Sequence, residues 1–160
     1  MEYQVPKHCI SVAGLVTNEN GEVLLLRTHW RSDTWEMPGG NVELGEPLDK
    51  AICREVQEET GIVIKPIGIT GVYMNITKQV LTVCFRAKYI SGEIKIQEEI
   101  VEARFIKIDE TNIEEYITRP QQRSRLLDAM NAKCHVLFES WEVNPSYTLL
   151  NRLEGDMNNK

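Results

Sequence analysis

Apolar and polar residues alternate along parts of this chain and recur with helical spacing in others. Alternation over residues 9–17 and 22–27 predicts two strands, and the turn-forming residues between them predict a hairpin. Another short strand is expected at residues 35–40, where Pro and Gly stop it. Residues 47–60 have helical character and are followed by Gly61, a residue type that favours a left-handed helix cap.

The rest of the pattern predicts three more strands and a second helix. Residues 62–76 are rich in Ile and Val, residues 80–89 alternate, and residues 101–108 follow as another strand. Residues 121–133 have an apolar helical face. The order β-β-β-α-β-β-β-α predicts an α/β fold in which helices pack against a mixed sheet.

The carboxy-terminal part contains large apolar side chains that need a surface to pack on: Trp141, Val143, Tyr147 and Leu149. Residues 136–150 therefore form either a final hairpin or an interface with a second copy, so a homodimer is one of two expectations. Residues 154–160 are expected to fray. We expect residues 1–160 to form a single domain.

Composition supports one domain with a sizeable core, since 42% of the 160 residues are hydrophobic. No apolar stretch approaches the roughly 20 residues that a membrane helix needs, and the first residues lack the apolar core of a signal peptide. A cytoplasmic protein with no membrane partner is the default expectation. The four cysteines are far apart, which predicts reduced packing residues.

The net charge of −6 argues against extended contact with nucleic acid, because such binding needs clustered Lys and Arg. A small phosphorylated ligand is still compatible with an acidic protein if a cation lies between the two.

Three glutamates of the first predicted helix share its apolar half. A helix turns by about 100° per residue, so Glu58 and Glu59 lie within about 60° of Glu55. Leu48 and Ile52 fall on the same half, and five residues are expected opposite: Asp49, Lys50, Cys53, Gln57 and Thr60. Carboxylates placed towards the core repel one another and need a cation, for which Mg²⁺ is suited. The alternative is a solvated acidic patch.

The spacing around these glutamates forms a motif. Gly40 is followed after five residues by Glu46 and after seven more by Arg54-Glu55-Val56-Gln57-Glu58-Glu59-Thr60-Gly61-Ile62. This resembles the box of the Nudix hydrolase family, and every fixed position is matched. Including the lead-in Trp35-x-x-Pro38-Gly39-Gly40, the resemblance extends from about residue 8 to 130. It implies a Nudix-type α/β/α sandwich with a mixed central sheet.

The resemblance implies that Glu55, Glu58 and Glu59 bind divalent metal, the same three residues that the helical wheel singles out. Mg²⁺ is the expected ion, with Mn²⁺ as a substitute. Glu58 and Glu55 are also catalytic candidates, and Arg54 is expected to orient a glutamate. Glu46 is either a structural residue at the helix start or a ligand of metal or water.

Residues outside the helix are candidates for contacts with the substrate. Gly39 and Gly40 either allow close approach to a phosphate or form an ordinary turn. Arg27 and residues 29–31 precede the box and are candidates to bind phosphate or base, with exposed loop residues as the alternative.

An additional glutamate is expected near the late strand, where some Nudix enzymes carry a further metal ligand or base. Glu98, Glu99 and Glu102 all lie there, and Glu99 is the preferred catalytic candidate.

The expected chemistry is metal-dependent attack of water on a diphosphate linkage in a small nucleotide-type substrate, either a nucleoside diphosphate derivative or a nucleoside triphosphate. Subfamily marks for one substrate are not found in the sequence. Three alternatives are left open: a nucleotide-binding sensor of the same fold without turnover, a pyrophosphohydrolase acting on RNA 5′ ends, and a plain structural domain with a solvent-facing acidic helix.

Overall fold

The computed structural model describes residues 4–133, 136, 138–142 and 147–153. Its elements are, in chain order, β1 (Cys9–Thr17), β2 (Val23–Thr28), a 3₁₀ turn (His29–Arg31), β3 (Gly39–Asn41), α1 (Leu48–Thr60), β4 (Val63–Asn75), β5 (Val80–Ser91), β6 (Ile100–Ile106), α2 (Ile113–Tyr116), α3 (Pro120–Asn131), β7 (Phe138–Glu142) and β8 (Thr148–Leu153).

The central sheet has the strand order β4-β5-β1-β2-β6 and is mixed, because β1 and β5 are parallel whereas the other neighbours are antiparallel. On its other side β1 has two partners. Its carboxyl end pairs with β2 through Thr17 and Val23, and its amino-terminal half pairs with β3, where Val12 lies opposite Gly40. Strand β3 thus brings the glycine pair into the sheet, beside the carboxyl-terminal half of α1.

Helices cover both faces of the sheet. On one face α1 buries Ile52 and Val56 in a cluster with Phe85 from β5. On the other face α2 and α3 bury Ile113 and Leu126 against strand residues. Two buried clusters separated by a mixed sheet are the α/β/α sandwich that the sequence predicts, so the predicted fold class is confirmed.

Helix α1 ends as the sequence predicts. Gly61 has a φ of 74°, in the left-handed region, and its N–H donates to the carbonyl oxygen of Gln57 at 2.8 Å. The start of α1 and the bounds of most strands agree with the sequence pattern within a few residues. The strand predicted at residues 35–40 is an exception, because Gly39–Asn41 pairs with β1 whereas Glu36 makes only an isolated bridge to Leu26. Helix α2 was not predicted, because four residues are too few to show helical periodicity.

The helical wheel was wrong about which side chains of α1 are covered. Asp49 is 3% exposed and Thr60 is fully buried, although both were expected on the solvent side. Glu58 was expected on the core-facing half, but its side chain is 59% exposed. Asp49 and Thr60 are buried because α1 is covered on more than its sheet face. Residues 93–95 pack at its carboxyl end, and β8 packs at its amino end.

The carboxy-terminal strands β7 and β8 pair antiparallel, which confirms the expected hairpin. The homodimer stays a prediction. Contrary to expectation, the side chains of Tyr147 and Leu149 are exposed. The predicted burial of Trp141 and Val143 and the predicted fraying of residues 154–160 fall outside what the structure describes.

Strand β8 is attached to α1 by a buried polar contact. Asn151 Nδ2 donates to Asp49 Oδ2 at 2.6 Å, and Asp49 Oδ1 is buried without a hydrogen-bond partner among the described residues. A buried carboxylate with incomplete hydrogen bonding depends strongly on the donor it has. The hairpin is therefore held to the helix that carries the glutamates.

Replacing Asn151 with Ala is expected to lower the free energy of unfolding by about 2 kcal/mol, because Asp49 keeps its burial and loses its donor. Asn131→Ala is the matched control, since Asn131 is exposed and its side chain makes a 3.3 Å hydrogen bond to Glu110. Denaturant titration of both variants checks this. Equal, small losses in the two variants would contradict the importance of the Asp49 contact.

Cys9, Cys53 and Cys84 are free thiols, as predicted, whereas Cys134 lies outside the described residues. Among the described helices none is long and apolar enough to cross a membrane.

Candidate active site

Arg54 of α1 is the centre of an ion-pair network. Its Nε and Nη2 donate to the two carboxylate oxygens of Glu46 at 2.7 and 2.8 Å. Its Nη1 lies 2.9 Å from Glu55 Oε1 and 3.1 Å from Glu58 Oε2, and Nη2 also donates to the carbonyl of Asn41. One guanidinium thus joins the loop before α1 to two glutamates of the helix.

Glu46 is held on both of its oxygens. Besides the paired contact with Arg54, Glu46 Oε2 accepts the backbone N–H of Glu43 at 3.0 Å. The hydrogen bonds from Arg54 hold the pKa of Glu46 below its usual range. Of the two roles considered for Glu46, the geometry therefore favours the structural one.

Gly40 is required by how closely α1 approaches β3, and Gly39 by how closely β1 approaches it. The backbone N–H of Gly39 donates to Glu59 Oε2 at 2.9 Å. A Cβ atom on Gly40 would lie 2.5 Å from Glu55 Cδ, and a Cβ on Gly39 would overlap the backbone carbonyl of Val12. The absence of a side chain at these positions lets two carboxylates lie directly against the strand.

Glu55 and Glu59 are in an environment that disfavours charge. Burial, followed by the negative charges of Glu55 and Glu36, raises the pKa of Glu59 to about 8. Burial also raises the pKa of Glu55, although the Arg54 guanidinium opposes this. Since the hydrogen-bond donor to Glu59 is a backbone N–H and not a Lys or Arg, a cation bound nearby would stabilise its ionised form.

A cavity of about 490 Å³ borders the glycine pair. Four basic side chains from three segments line it: Arg31, Lys78, Arg119 and Arg125. Its polar lining is completed by Glu36, Asn41, Asn75, Gln121 and Gln122, and its wall by Gly39 and Gly40. The arrangement is a positively charged recess beside a helix with acidic side chains.

Buried Glu36 positions the cavity side chains. It is 5% exposed and accepts hydrogen bonds from Arg31 Nε at 3.0 Å and from Gln122 Nε2 at 3.3 Å. Burial raises the pKa of Glu36, whereas the charge of Arg31 and its hydrogen bond lower it. Glu36 thus fixes Arg31 of the 3₁₀ turn and Gln122 of α3 at one wall.

The described residues contain no group of three or more acidic, His or Cys side chains already arranged as a metal cage. Glu55 and Glu58 instead share Arg54 Nη1, which shows that one positive group can lie between them. In the hydrogen bonds described, each of these helix glutamates uses one carboxylate oxygen, and its second oxygen accepts none of them: Glu55, Glu58 and Glu59. The donor set therefore fits a divalent cation.

Comparison with known proteins decides the family. The family sequence model of the NUDIX domain matches residues 7–129. This range is most of the chain and includes the whole site.

The chain belongs to the Nudix family.

Two curated relatives and one solved structure illustrate the similarity. A MutT-like protein from Streptomyces ambofaciens is 39% identical over 109 residues, covering 67% of this chain and 69% of its own. An ADP-ribose pyrophosphatase from Methanocaldococcus jannaschii is 30% identical over 114 residues, covering 68% of each. The crystal structure of MutT protein from Methanosarcina mazei Go1 matches with a TM-score of 0.63 and 34% sequence identity. The match covers 76% of this chain and 91% of that chain.

As a Nudix hydrolase with an intact box, the protein is a pyrophosphohydrolase of nucleotide derivatives, and its family generally uses divalent metal ions.

Two residues predicted outside the Nudix box do not line the cavity. Arg27 forms an ion pair with Glu102 at 2.7 Å, and its guanidinium lies 5.1 Å from the centre of the Trp35 ring. The side chain of Glu99 is exposed, and its backbone carbonyl accepts the N–H of His29. The binding role of Arg27 and the catalytic role of Glu99 stay predictions, although Arg27 is engaged in holding Glu102 and Trp35.

Sequence reasoning missed most of the cavity. Arg27 and residues 29–31 were the candidates after β2, and of these Arg31 lines the cavity. Lys78, Arg119 and Arg125 are polar residues on a turn and a helix, with no spacing that links them. Glu36 had a signal, since it is a charged residue between the buried Trp35 and Met37.

Proposed function

We propose that this Nudix hydrolase cleaves the diphosphate linkage of a nucleoside diphosphate derivative or a nucleoside triphosphate with Mg²⁺ as its metal. One observation carries the proposal: the acidic helix and the basic cavity meet at Gly39 and Gly40. The carboxylates Glu55 and Glu59 lie against these glycines, and the cavity that the glycines border is lined by four cationic side chains. A diphosphate with a bound cation has the charges that such a boundary requires.

The metal would be held by Glu55, Glu58 and Glu59 through the oxygens that their internal hydrogen bonds leave available. Mg²⁺ favours carboxylate oxygens together with phosphate oxygens, and Mn²⁺ can replace it in such a site. When bound, the ion lowers the pKa of an attacking water and stabilises charge on the phosphate. Because the ion interacts most strongly with ionised carboxylates, binding also favours the charged form of Glu59.

The remaining chemistry belongs to side chains of this protein. Arg31, Lys78, Arg119 and Arg125 supply positive charge for the non-bridging oxygens of the phosphates. Glu58, the most exposed of the three helix glutamates, accepts the proton of the attacking water. Arg54 keeps Glu55 and Glu58 in place. The products are a phosphate ester and the remaining phosphorylated half, with no covalent intermediate.

The decisive experiment is a panel of nucleoside diphosphate sugars, dinucleotides and nucleoside triphosphates incubated with Mg²⁺, Mn²⁺ or EDTA, with products separated by anion-exchange chromatography. We expect release of a nucleoside monophosphate with either metal and none with EDTA. Nucleotide binding without product from any compound would favour the sensor without turnover. Activity that persists in EDTA would refute the metal assignment.

The two glycines give a further prediction with a built-in comparison. Gly40→Ala places its Cβ against the flexible Glu55 carboxylate, so the protein should fold and lose at least about tenfold in kcat because a metal ligand is displaced. Gly39→Ala places its Cβ against the rigid backbone of Val12, so it should mainly lower the melting temperature. Thermal melts and turnover of both variants check this, and Gly40→Ala with wild-type kcat would contradict it.

A further inference from the structure

Arg125 of α3 differs from two other basic side chains of the cavity because its charge is not compensated by a carboxylate. Arg31 and Arg119 each form an ion pair, at 2.9 and 3.2 Å. Among the described residues Arg125 makes no ion pair, and its guanidinium lies 5.4 Å from the centre of the Tyr73 ring. The charge of Arg125 is therefore available to an anion in the cavity, and an aromatic ring supports the side chain that carries it.

The Tyr73 ring is held between β4 and α3. It lies over Gly71 of the same strand, since a Cβ atom on Gly71 would be 2.7 Å from Tyr73 Cζ. Its hydroxyl donates to Asp128 Oδ2 of α3 at 2.7 Å. In the strand pair Tyr73 is opposite Thr82, a residue that lines the basic cavity. The ring thus joins strand and helix directly beside the cavity, and the absence of a side chain at Gly71 provides the room for it.

Asp128 competes for the Arg125 guanidinium. Residues three apart on a helix are neighbours on its surface, so an arginine and an aspartate at this spacing can form an ion pair. The structure describes both side chains, and they form none, whereas Asp128 Oδ2 accepts the hydroxyl of Tyr73. Tyr73 therefore has two effects: its ring supports the guanidinium, and its hydroxyl occupies the carboxylate that would otherwise attract that guanidinium.

We propose that Tyr73 is a positioning residue that holds the Arg125 guanidinium in the basic cavity for a phosphate of the substrate. The inference rests on the proposed function, to which it adds a residue that acts through another and does not contact the reacting atoms. A guanidinium that is already stacked on an aromatic face loses less freedom when it pairs with phosphate. Removing the ring therefore weakens phosphate binding through Arg125.

The test measures binding of inorganic pyrophosphate by calorimetry in EDTA, so the basic cavity is probed without metal and without turnover. The variants are Tyr73→Leu, Arg125→Met and the two substitutions combined. Tyr89→Leu is the matched control, because Tyr89 is also a half-buried strand tyrosine whose hydroxyl donates to a backbone carbonyl, at 2.9 Å, but it packs on the α1 side of the sheet. Thermal melts establish a temperature at which every variant is folded.

We expect Arg125→Met to weaken pyrophosphate binding about tenfold and Tyr73→Leu about fivefold, whereas Tyr89→Leu keeps the wild-type affinity. The combined variant should bind no more weakly than Arg125→Met alone, because Tyr73 acts through Arg125. Gly71→Ala tests the same point without removing the ring. Its Cβ displaces Tyr73, so it should also weaken binding about fivefold, and it decides the question if Tyr73→Leu does not fold.

Four results would overturn the proposal: wild-type affinity in Tyr73→Leu or Gly71→Ala, losses that multiply in the combined variant, an equal loss in Tyr89→Leu, or a wild type that binds no pyrophosphate. The outcome is separate from that of the substrate panel. The expected losses in a protein that hydrolyses no compound would sustain the role of Tyr73 and refute the proposed reaction. Hydrolysis by a protein whose pyrophosphate affinity ignores Tyr73 would do the reverse.

Discussion

Replacing Glu58 with Gln is expected to lower kcat by about 100-fold or more, because the variant loses the carboxylate proposed as proton acceptor and metal ligand. The fold should be unaffected, since this side chain is 59% exposed and its contact with Arg54 is one of several that Arg54 makes. Steady-state kinetics with saturating Mg²⁺, together with a thermal melt in EDTA, measure the two effects separately.

Glu114→Gln is the matched control for this substitution. Glu114 is also an exposed glutamate paired with an arginine, at 2.9 Å from Arg123, but it lies outside the site. It should retain wild-type kcat. Mg²⁺ should raise the melting temperature of wild type and of Glu114→Gln more than that of Glu58→Gln, because binding to the native state stabilises it. Near-normal turnover of Glu58→Gln would exclude the metal and base roles proposed for Glu58.

The second large effect is expected for Arg54→Ala. Glu46 and Glu55 each have side chains 15% exposed, so removing the guanidinium leaves two poorly hydrated carboxylates without their cation. We expect the free energy of unfolding to fall by about 2–3 kcal/mol and kcat to fall at least about tenfold, since Glu55 and Glu58 lose their orientation. Arg54→Lys keeps the charge but not the paired geometry, and should recover stability more than turnover.

Arg123→Ala is the control for Arg54→Ala, because Arg123 has the same 23% side-chain exposure and also pairs with a glutamate. Its effect on stability should be within about 1 kcal/mol, the usual range for exposed ion pairs. Denaturant titrations and kinetics on the two variants check both statements. Equal losses of stability would show that the Arg54 network contributes no more than a surface pair.

The stability effect of Arg54→Ala should depend on pH in a defined direction. Arg54 lowers the pKa of Glu46 in the folded protein, so the stabilisation from this pair is fully present above the ordinary glutamate pKa. It is lost as the pH falls through the lowered pKa and Glu46 becomes protonated. The difference in unfolding free energy between wild type and Arg54→Ala should therefore be largest near neutral pH and shrink in acid.

Local sequence signals were sufficient for much of the fold and for the acidic half of the site. Alternation predicted the strands, and Gly61 predicted the left-handed cap of α1 because few other residues tolerate a φ of 74°. The spacing of Glu55, Glu58 and Glu59 placed three carboxylates on one helix, since helix geometry converts sequence distance into angle. These features depend on neighbours within a few residues, and a sequence records such neighbours directly.

Only the tertiary structure decided what surrounds that helix. Asp49 is buried because Asn151 of β8 packs on it, and Glu58 is exposed because nothing among the described residues covers that side. The basic cavity joins Arg31, Lys78 and Arg119 from a turn, a hairpin and the start of α3. Helical periodicity gives the angle of a side chain but not what packs against it. Contacts between segments far apart in the chain carry no periodic signal, so the sequence determined the acidic helix and the fold determined the basic cavity.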